Sequence, residues 1–228
     1  MQLDKKTISS RHGQVPSIRR NLNNEQQSIV KEIVARKKNN PSTPIHLFLT
    51  GGLGTGKTHT AKIAYDALLH FYDKEIGSDP LKKKVLKAAF TRKAAYNVGS
   101  VTVHSALILP LNSSKMLPLN SNTLDALTKY FEQLRVLLID EVSLIGSRML
   151  YNIDKRLREI MHTPTRPFGN LDVIFCGDLC QAQLVRDSWI FEQPRFQQQP
   201  FPCNFWPYMI KCYELKTVVR KKKHSYQS

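Results

Sequence analysis

Gly51-Gly52-Leu53-Gly54-Thr55-Gly56-Lys57-Thr58 fits the pattern G-x-x-x-x-G-K-[ST]. It stands between an apolar run at 45–50 and a helix-patterned stretch at 57–71, the strand–loop–helix setting in which such a sequence binds phosphate. The glycines let successive backbone N–H groups turn inward and form a concave anion nest at the positive end of the following helix. Lys57 is expected to reach the β- and γ-phosphates, and the Thr58 hydroxyl to hold Mg²⁺. The expected cradle therefore runs from Gly51, Gly52, Leu53, Gly54, Thr55 and Gly56 through Lys57 and Thr58 to His59. A glycine-rich turn that merely caps a helix is the plainer alternative, and the flanking pattern weighs against it.

Working outward, 45–50, 85–90, 134–139 and 171–176 are short apolar runs that predict buried parallel strands, with helix-like stretches between them. Asn23 or Asn24 is expected to cap a helix reaching about Lys38, with Ile29, Val30, Ile33 and Val34 as its apolar stripe. Arg36, Lys37 and Lys38 suit that helix's negative end, and Asn39-Asn40-Pro41 stops it. After the third strand, Met149, Leu150, Ile153, Leu157 and Ile160 share one helical face. The alternation predicts an α/β fold, a mainly parallel sheet with helices on both faces and ligands at the carboxyl ends of its strands. Residues 110–123 are expected to be a polar loop, and 192–207 irregular; no internal repeat is visible.

Val136-Leu137-Leu138-Ile139-Asp140-Glu141 is the second strong signal. An apolar strand that delivers Asp and then Glu to its end is how such enzymes complete a Mg²⁺ site. Asp140 is expected to bind the metal, and Glu141 to orient and deprotonate the attacking water. An ordinary solvated Asp-Glu turn would win if the pair stood alone. Three weaker signals follow. In Leu22-Asn23-Asn24-Glu25-Gln26 an amide could read the adenine edge, or Gln26 could reach back to Asn23 in a capping box. Gln181, after Gly177-Asp178, could sense the γ-phosphate. Arg220, after Tyr213-Glu214-Leu215, could supply a guanidinium to the transferring charge.

The chain has 228 residues and a formal net charge of +16. That field implies a polyanionic partner, nucleic acid being the commonest. Its basic residues cluster at Arg19-Arg20, Arg36-Lys37-Lys38, Lys82-Lys83-Lys84, Arg92-Lys93 and Arg220-Lys221-Lys222-Lys223. No apolar run has a membrane-spanning length. The basic N-terminus carries Asp4 and no apolar stretch, so it does not read as a secretory signal. Cys176, Cys180, Cys203 and Cys212 form no disulfide scaffold and match no familiar zinc ribbon, so the expected setting is reducing and intracellular. The N-terminus leaves a mitochondrial transit peptide open, but it is short and shows little amphipathic pattern, so a nuclear setting is expected over a mitochondrial one.

Together the segments LNNEQ, GGLGTGKT, AFTRKAAYN, TVHSAL, LLIDEVSLI, GDLCQ and YELKTVVR resemble, in this order, the Pif (petite integration frequency) family of superfamily 1 DNA helicases. The resemblance covers about Leu22 to Arg220. It implies a RecA-like P-loop NTPase domain over 21–220 between basic tails at 1–20 and 221–228. It also implies ATP and Mg²⁺ as cofactors, and 5′-to-3′ translocation on single-stranded DNA or DNA junctions in repair, recombination or telomere maintenance. Relatives of this kind also occur in rolling-circle transposons. By position, Gln26 matches the family's adenine-reading glutamine; Gly54, Gly56, Lys57 and Thr58 its phosphate loop; Asp140 and Glu141 its metal and water carboxylates. Gln181 matches the glutamine that links nucleotide state to DNA grip, and Arg220 an arginine near the γ-phosphate. Thr91, Lys93, Asn97, Thr102 and His104 fall in segments that line the DNA path, although His104 could equally be a core histidine. Phe90 and Arg92 stand where the family usually has Pro and Gly, and Ala182-Gln183-Leu184 where Leu-Pro-Pro is usual. The segments of a second RecA-like domain do not follow Arg220, so unwinding is expected to need a second motor domain or partner chain. A nucleotide-responsive DNA-binding module without motor action is the competing expectation. A clamp-loader-like ATPase is a third, which would leave the order of Gln26, His104 and Gln181 unexplained.

Overall fold

A computed structural model describes residues 22–79, 81–97, 99–110, 116–179, 181, 187–192 and 205–219. Within them β1 (His46–Gly51), β2 (Val85–Ala89), β3 (Val101–Thr102), β4 (Val136–Asp140), β5 (Asp172–Cys176) and β6 (Lys211–Leu215) form one sheet. Its order is β3-β2-β4-β5-β1-β6, and each pairing is parallel. The helices are α1 (Asn24–Asn39), α2 (Lys57–Tyr72), α3 (Arg92–Asn97), α4 (Val103–Leu107), α5 (Ser121–Tyr130), α6 (Ser147–Ile160) and α7 (Phe205–Met209). This is a RecA-like α/β fold.

Successive strand residues point to opposite faces, and both faces are covered, which is why the central strands read as unbroken apolar runs. Leu47, Leu49, Val136, Leu138 and Ile174 pack under Ile29 and Ile33 of α1 and Ala61, Ala64 and Leu68 of α2. Their neighbours Phe48, Leu137, Ile139, Val173 and Phe175 face Leu150, Ile153, Leu157 and Ile160 of α6 on the other side. The apolar stripe predicted on α6 is that contact, with Met149 partly buried at its edge.

The four predicted strands form within a residue or two of their expected bounds, and two more appear. β6 alternates, with Tyr213 and Leu215 buried and Lys211, Cys212 and Glu214 exposed, as an edge strand should. β3 has only two residues, too few to carry a pattern. The polar loop expected over 110–123 is corrected at its end. Asn120 accepts the Thr123 N–H at 2.9 Å and caps α5, whose Leu124 and Leu127 lean on the core. Most of the stretch expected to be irregular at 192–207, and both basic tails, lie outside the described residues.

At the amino end of the sheet, opposite the phosphate loop, Asp172 gathers three donors. They are Lys37 Nζ (3.0 Å), Ile45 N (2.8 Å) and the Tyr72 hydroxyl (2.6 Å). Lys37 is thus a buried ion-pair partner and not merely a charge at the end of α1. Burial first, and then the Asp172 charge, push the Tyr72 hydroxyl far above its ordinary pKa.

His46 is buried nearby, its Nε2 3.2 Å from the Leu171 carbonyl and its ring edge-on to Phe168. Burial lowers its pKa below the ordinary 6.5. Between that lowered value and 6.5 the unfolded chain binds the extra proton. Stability therefore falls as pH drops through this window and is flat above it, by about 1.4 kcal/mol per pH unit at most. Melting temperatures measured from pH 8 to 5.5 should decline below about 6.5, and His46→Phe should remove that part of the decline.

Lys82-Lys83-Lys84 also lies at this end. Lys82 pairs with Glu132 (2.8 Å), Lys83 Nζ donates to the Tyr130 hydroxyl (2.9 Å), and Lys84 pairs with Asp73 (2.7 Å). Two of the three charges thus meet a carboxylate within the molecule, and that of Lys84 is buried. No helix among the described residues is long and apolar enough to cross a membrane.

Candidate functional site

The phosphate loop joins the carboxyl end of β1 to the amino end of α2, as expected. Gly56, the N-cap of α2, sits in the left-handed region (φ 82°, ψ 26°) and has no side chain to satisfy the helix's first N–H groups. Those groups are left for an anion. A Cβ at Gly56 would lie 2.6 Å from the Gln26 amide nitrogen, so the glycine also admits Gln26. Lys57 Nζ turns back onto its own loop, donating to the carbonyls of Gly51 (2.7 Å) and Gly52 (3.0 Å). Thr55 ties the loop to itself through the Gly52 carbonyl (2.9 Å), while Leu53 and His59 are exposed.

Gln26 takes the capping role and also reaches the phosphate loop. Its backbone N–H donates to Asn23 Oδ1 (2.9 Å), and its Oε1 accepts the Asn23 N–H (3.1 Å), the reciprocal capping box. Its Nε2 also donates to the Thr55 carbonyl (2.9 Å), so the 1% exposed amide fastens α1 to the phosphate loop. Beside it, Glu25 accepts the N–H groups of Lys216 (3.0 Å) and Thr217 (3.1 Å). The Lys216 backbone bond chiefly holds the Glu25 carboxyl below its ordinary pKa. Val219 N–H then donates to the Gly54 carbonyl (2.9 Å), so the strand leaving the sheet at β6 closes over the loop. Arg220 itself lies outside the described residues. The Glu25 contacts had no sequence signal, because they join residues far apart in the chain.

β4 delivers Asp140 and Glu141 to the same end of the sheet. Asp140 accepts the Glu141 N–H at 2.9 Å. Asp140 and Thr58 both lie close to the Cys176 thiol at the end of β5. Burial, and then the Asp140 charge, raise that thiol's pKa well above the ordinary value, so it stays protonated. A hydroxyl and a carboxylate thus converge beside the phosphate loop, a hard-oxygen set that suits Mg²⁺ with triphosphate oxygens completing its shell. No group of three or more His, Cys, Asp or Glu side chains among the described residues is placed to hold a metal without such a ligand.

Glu141 has a left-handed backbone (φ 57°, ψ 47°), unusual for a residue with a side chain. The bend is locked by Val142, which packs so tightly on Gly177 that a Cβ there would lie 2.9 Å from the Val142 nitrogen. The carboxylate accepts the Thr91 hydroxyl at 2.9 Å.

Thr91 begins the face expected to line a DNA path. Ala94 and Ala95 bury one side of α3, leaving Arg92, Lys93 and Tyr96 exposed at helical spacing on the other. Tyr96, 87% exposed, is an aromatic that sequence reasoning passed over. Its spacing from the two cations was the available signal. Thr102 caps α4, accepting the Ser105 N–H (3.2 Å) and donating to the Ser105 hydroxyl (2.8 Å). His104 is half-buried and edge-on to Phe90, and burial lowers its pKa. Asn97 lies in the last turn of α3, and Gln181 is exposed beyond β5, its N–H on the Asp178 carbonyl (3.1 Å).

Residues 21–228 match the PIF1-like helicase family. ATP-dependent DNA helicase PIF1 of Candida albicans is 30% identical over 167 residues, covering 72% of this chain and 16% of that protein. Its Saccharomyces cerevisiae counterpart is likewise 30% identical over 167 residues, 72% of this chain and 17% of its own. The chain thus spans about a sixth of the length of these relatives. Among solved structures, the Candida albicans Pif1 helicase superposes with a TM-score of 0.63 at 25% identity, over 86% of this chain and 40% of that one. A Bacteroides Pif1 helicase in complex with ADP-AlF3 and ssDNA gives 0.59 at 25% identity, over 89% and 44%.

Proposed function

This chain belongs to the PIF1-like helicase family, and on that premise we propose that it binds and hydrolyses ATP in response to single-stranded DNA, as one RecA-like half of a 5′-to-3′ DNA motor. The observation that carries the reading is the convergence of Lys57, Thr58, Asp140 and Glu141 at the carboxyl ends of β1 and β4. The relative held with ADP-AlF3 and ssDNA supports the same ligands here. In this reading the Lys57 ammonium leaves the Gly51 and Gly52 carbonyls for the β- and γ-phosphates, exchanging neutral acceptors for anionic ones. Thr58 and Asp140 would hold Mg²⁺, which would supply charge neutralisation for the transferring phosphoryl group. Glu141 orients the attacking water and takes its proton. Arg220 and Gln181 face the γ-phosphate in this reading, and Gln26 reads the adenine by exchanging one of its amide's present bonds for the base. DNA runs over Thr91, Lys93, Asn97, Thr102 and His104 in the same reading. Duplex separation requires a second motor domain or partner chain, and the proposed setting is nuclear genome maintenance, in repair, recombination or telomere upkeep.

Two measurements on this chain test it. Magnesium-dependent phosphate release should rise when oligo-dT is added; no rise removes the ATPase reading. Nucleotide binding without turnover selects a nucleotide-responsive DNA-binding module instead. The salt dependence of oligo-dT binding tests which face carries the DNA. Arg92→Ala and Lys93→Ala should each lower the log–log salt slope by about 0.7, the value for one single-strand phosphate. Lys82→Ala and Lys83→Ala, at the opposite end of the sheet, should leave it unchanged. Equal effects at both ends would overturn the placement.

A further inference from the structure

Thr91 stands where the two halves of the proposed site meet. Its Oγ1 accepts the Ala94 N–H at 3.1 Å and its carbonyl accepts the Ala95 N–H at 2.9 Å, so it starts and caps α3. α3 carries the exposed Arg92, Lys93 and Tyr96 face. The hydroxyl has a single proton, and that proton goes to Glu141 Oε2 at 2.9 Å. One hydroxyl therefore links the first turn of the DNA-facing helix to the carboxylate that handles water. Neither end of the link is free to drift. Glu141 is fixed by its left-handed backbone and by its N–H on Asp140. α3 is fixed by Ala94 and Ala95, which pack with Ala89 of β2.

We propose that Thr91 is a positioning residue that holds Glu141 in check until a single strand lies on α3. The Thr91 hydroxyl occupies the Glu141 oxygen that would otherwise accept from water. A strand that takes the Thr91 proton, or shifts the start of α3, releases the carboxylate. This rests on the DNA-stimulated ATPase reading and names how its stimulation arises. By linkage the coupling is reciprocal: whatever removes the Glu141 acceptor makes the Thr91 hydroxyl cheaper for DNA to capture.

That reciprocity can be read with no nucleotide present, from the affinity of the chain for fluorescein-labelled oligo-dT in a double-mutant cycle. Glu141→Ala should tighten binding, and should do so about threefold more with Thr91 present than in the Thr91→Val background. The loss of one negative charge favours DNA equally in both backgrounds and cancels. Equal tightening in the two backgrounds overturns the latch. A second comparison leaves Thr91 untouched, in case Thr91→Val destabilises α3. Glu141→Gln removes the charge but keeps the acceptor, so Glu141→Ala should bind about threefold more tightly than Glu141→Gln; equal affinities overturn the proposal. Thr91→Ser, which keeps the hydroxyl, should behave as wild type in both tests, and failure to do so counts against the hydroxyl. A wild-type chain that does not bind oligo-dT removes the DNA reading itself, and the latch with it.

Discussion

Lys57→Ala should reduce single-strand-stimulated ATP hydrolysis by about 10²–10³-fold, the loss typical of deleting one preorganised donor aimed at developing charge. The ammonium lies on the Gly51 and Gly52 carbonyls, inside the bend of the loop that the triphosphate is to occupy. Moving it to phosphate costs two neutral hydrogen bonds and gains charge-assisted ones, so the exchange favours the bound state. With alanine the loop keeps its backbone N–H groups and its Gly56 turn, which Gln26 and Thr55 fasten independently of Lys57. Nucleotide binding should accordingly weaken but survive, while turnover collapses. The site lies at the surface end of β1, away from the core, so the melting temperature should change little. Phosphate-release assays with and without oligo-dT, beside a thermal melt, decide the matter. Unchanged turnover would refute the phosphate-loop assignment and the ATPase reading together.

What could be read from the sequence was what is local. The loop at 51–58, the strand ending in Asp140-Glu141 and the buried strands carry their meaning within a few residues, because parallel strands covered on both faces must be apolar throughout. β6 escaped notice because half of it is exposed, and β3 because two residues hold no period. Gln26 shows a different limit. Its capping box was legible from Asn23 three residues away, whereas its bond to Thr55 depends on how α1 crosses the phosphate loop. Lys82, Lys83 and Lys84 show the limit of charge reading, since Glu132, Tyr130 and Asp73 meet them only in the fold. The Thr91–Glu141 bond joins two segments that each had a role assigned separately; their contact follows from β2 and β4 being neighbours in the sheet, Ala89 opposite Asp140.

Asp172→Ala should be strongly destabilising. The carboxylate is fully buried, and three donors from three elements end on it: Lys37 from α1, Ile45 just before β1 and Tyr72 from the end of α2. Removing the acceptor strands a backbone N–H and a hydroxyl, and leaves the buried Lys37 ammonium with the neutral Thr43 carbonyl (3.2 Å) in place of a countercharge. Breaking a buried pair by removing one partner costs about 3–5 kcal/mol, because the remaining charge is left uncompensated. For a domain of this size each kcal/mol is worth about 2–4 °C, so the melting temperature should drop by roughly 10 °C. Tyr72→Phe deletes one donor and leaves the ion pair, so its cost should be about 1 kcal/mol. Replacing both charges with apolar residues of similar volume, as in Lys37→Met with Asp172→Leu, should recover much of the loss, since the pair's attraction barely outweighs its desolvation. A drop of less than about 2 °C for Asp172→Ala would mean that water reaches the site and the pair is not the clamp that its burial indicates. Because Asp172 opens β5 at the end of the sheet opposite the phosphate loop, nucleotide affinity measured well below the melting temperature should stay near wild type, separating a loss of stability from a loss of function.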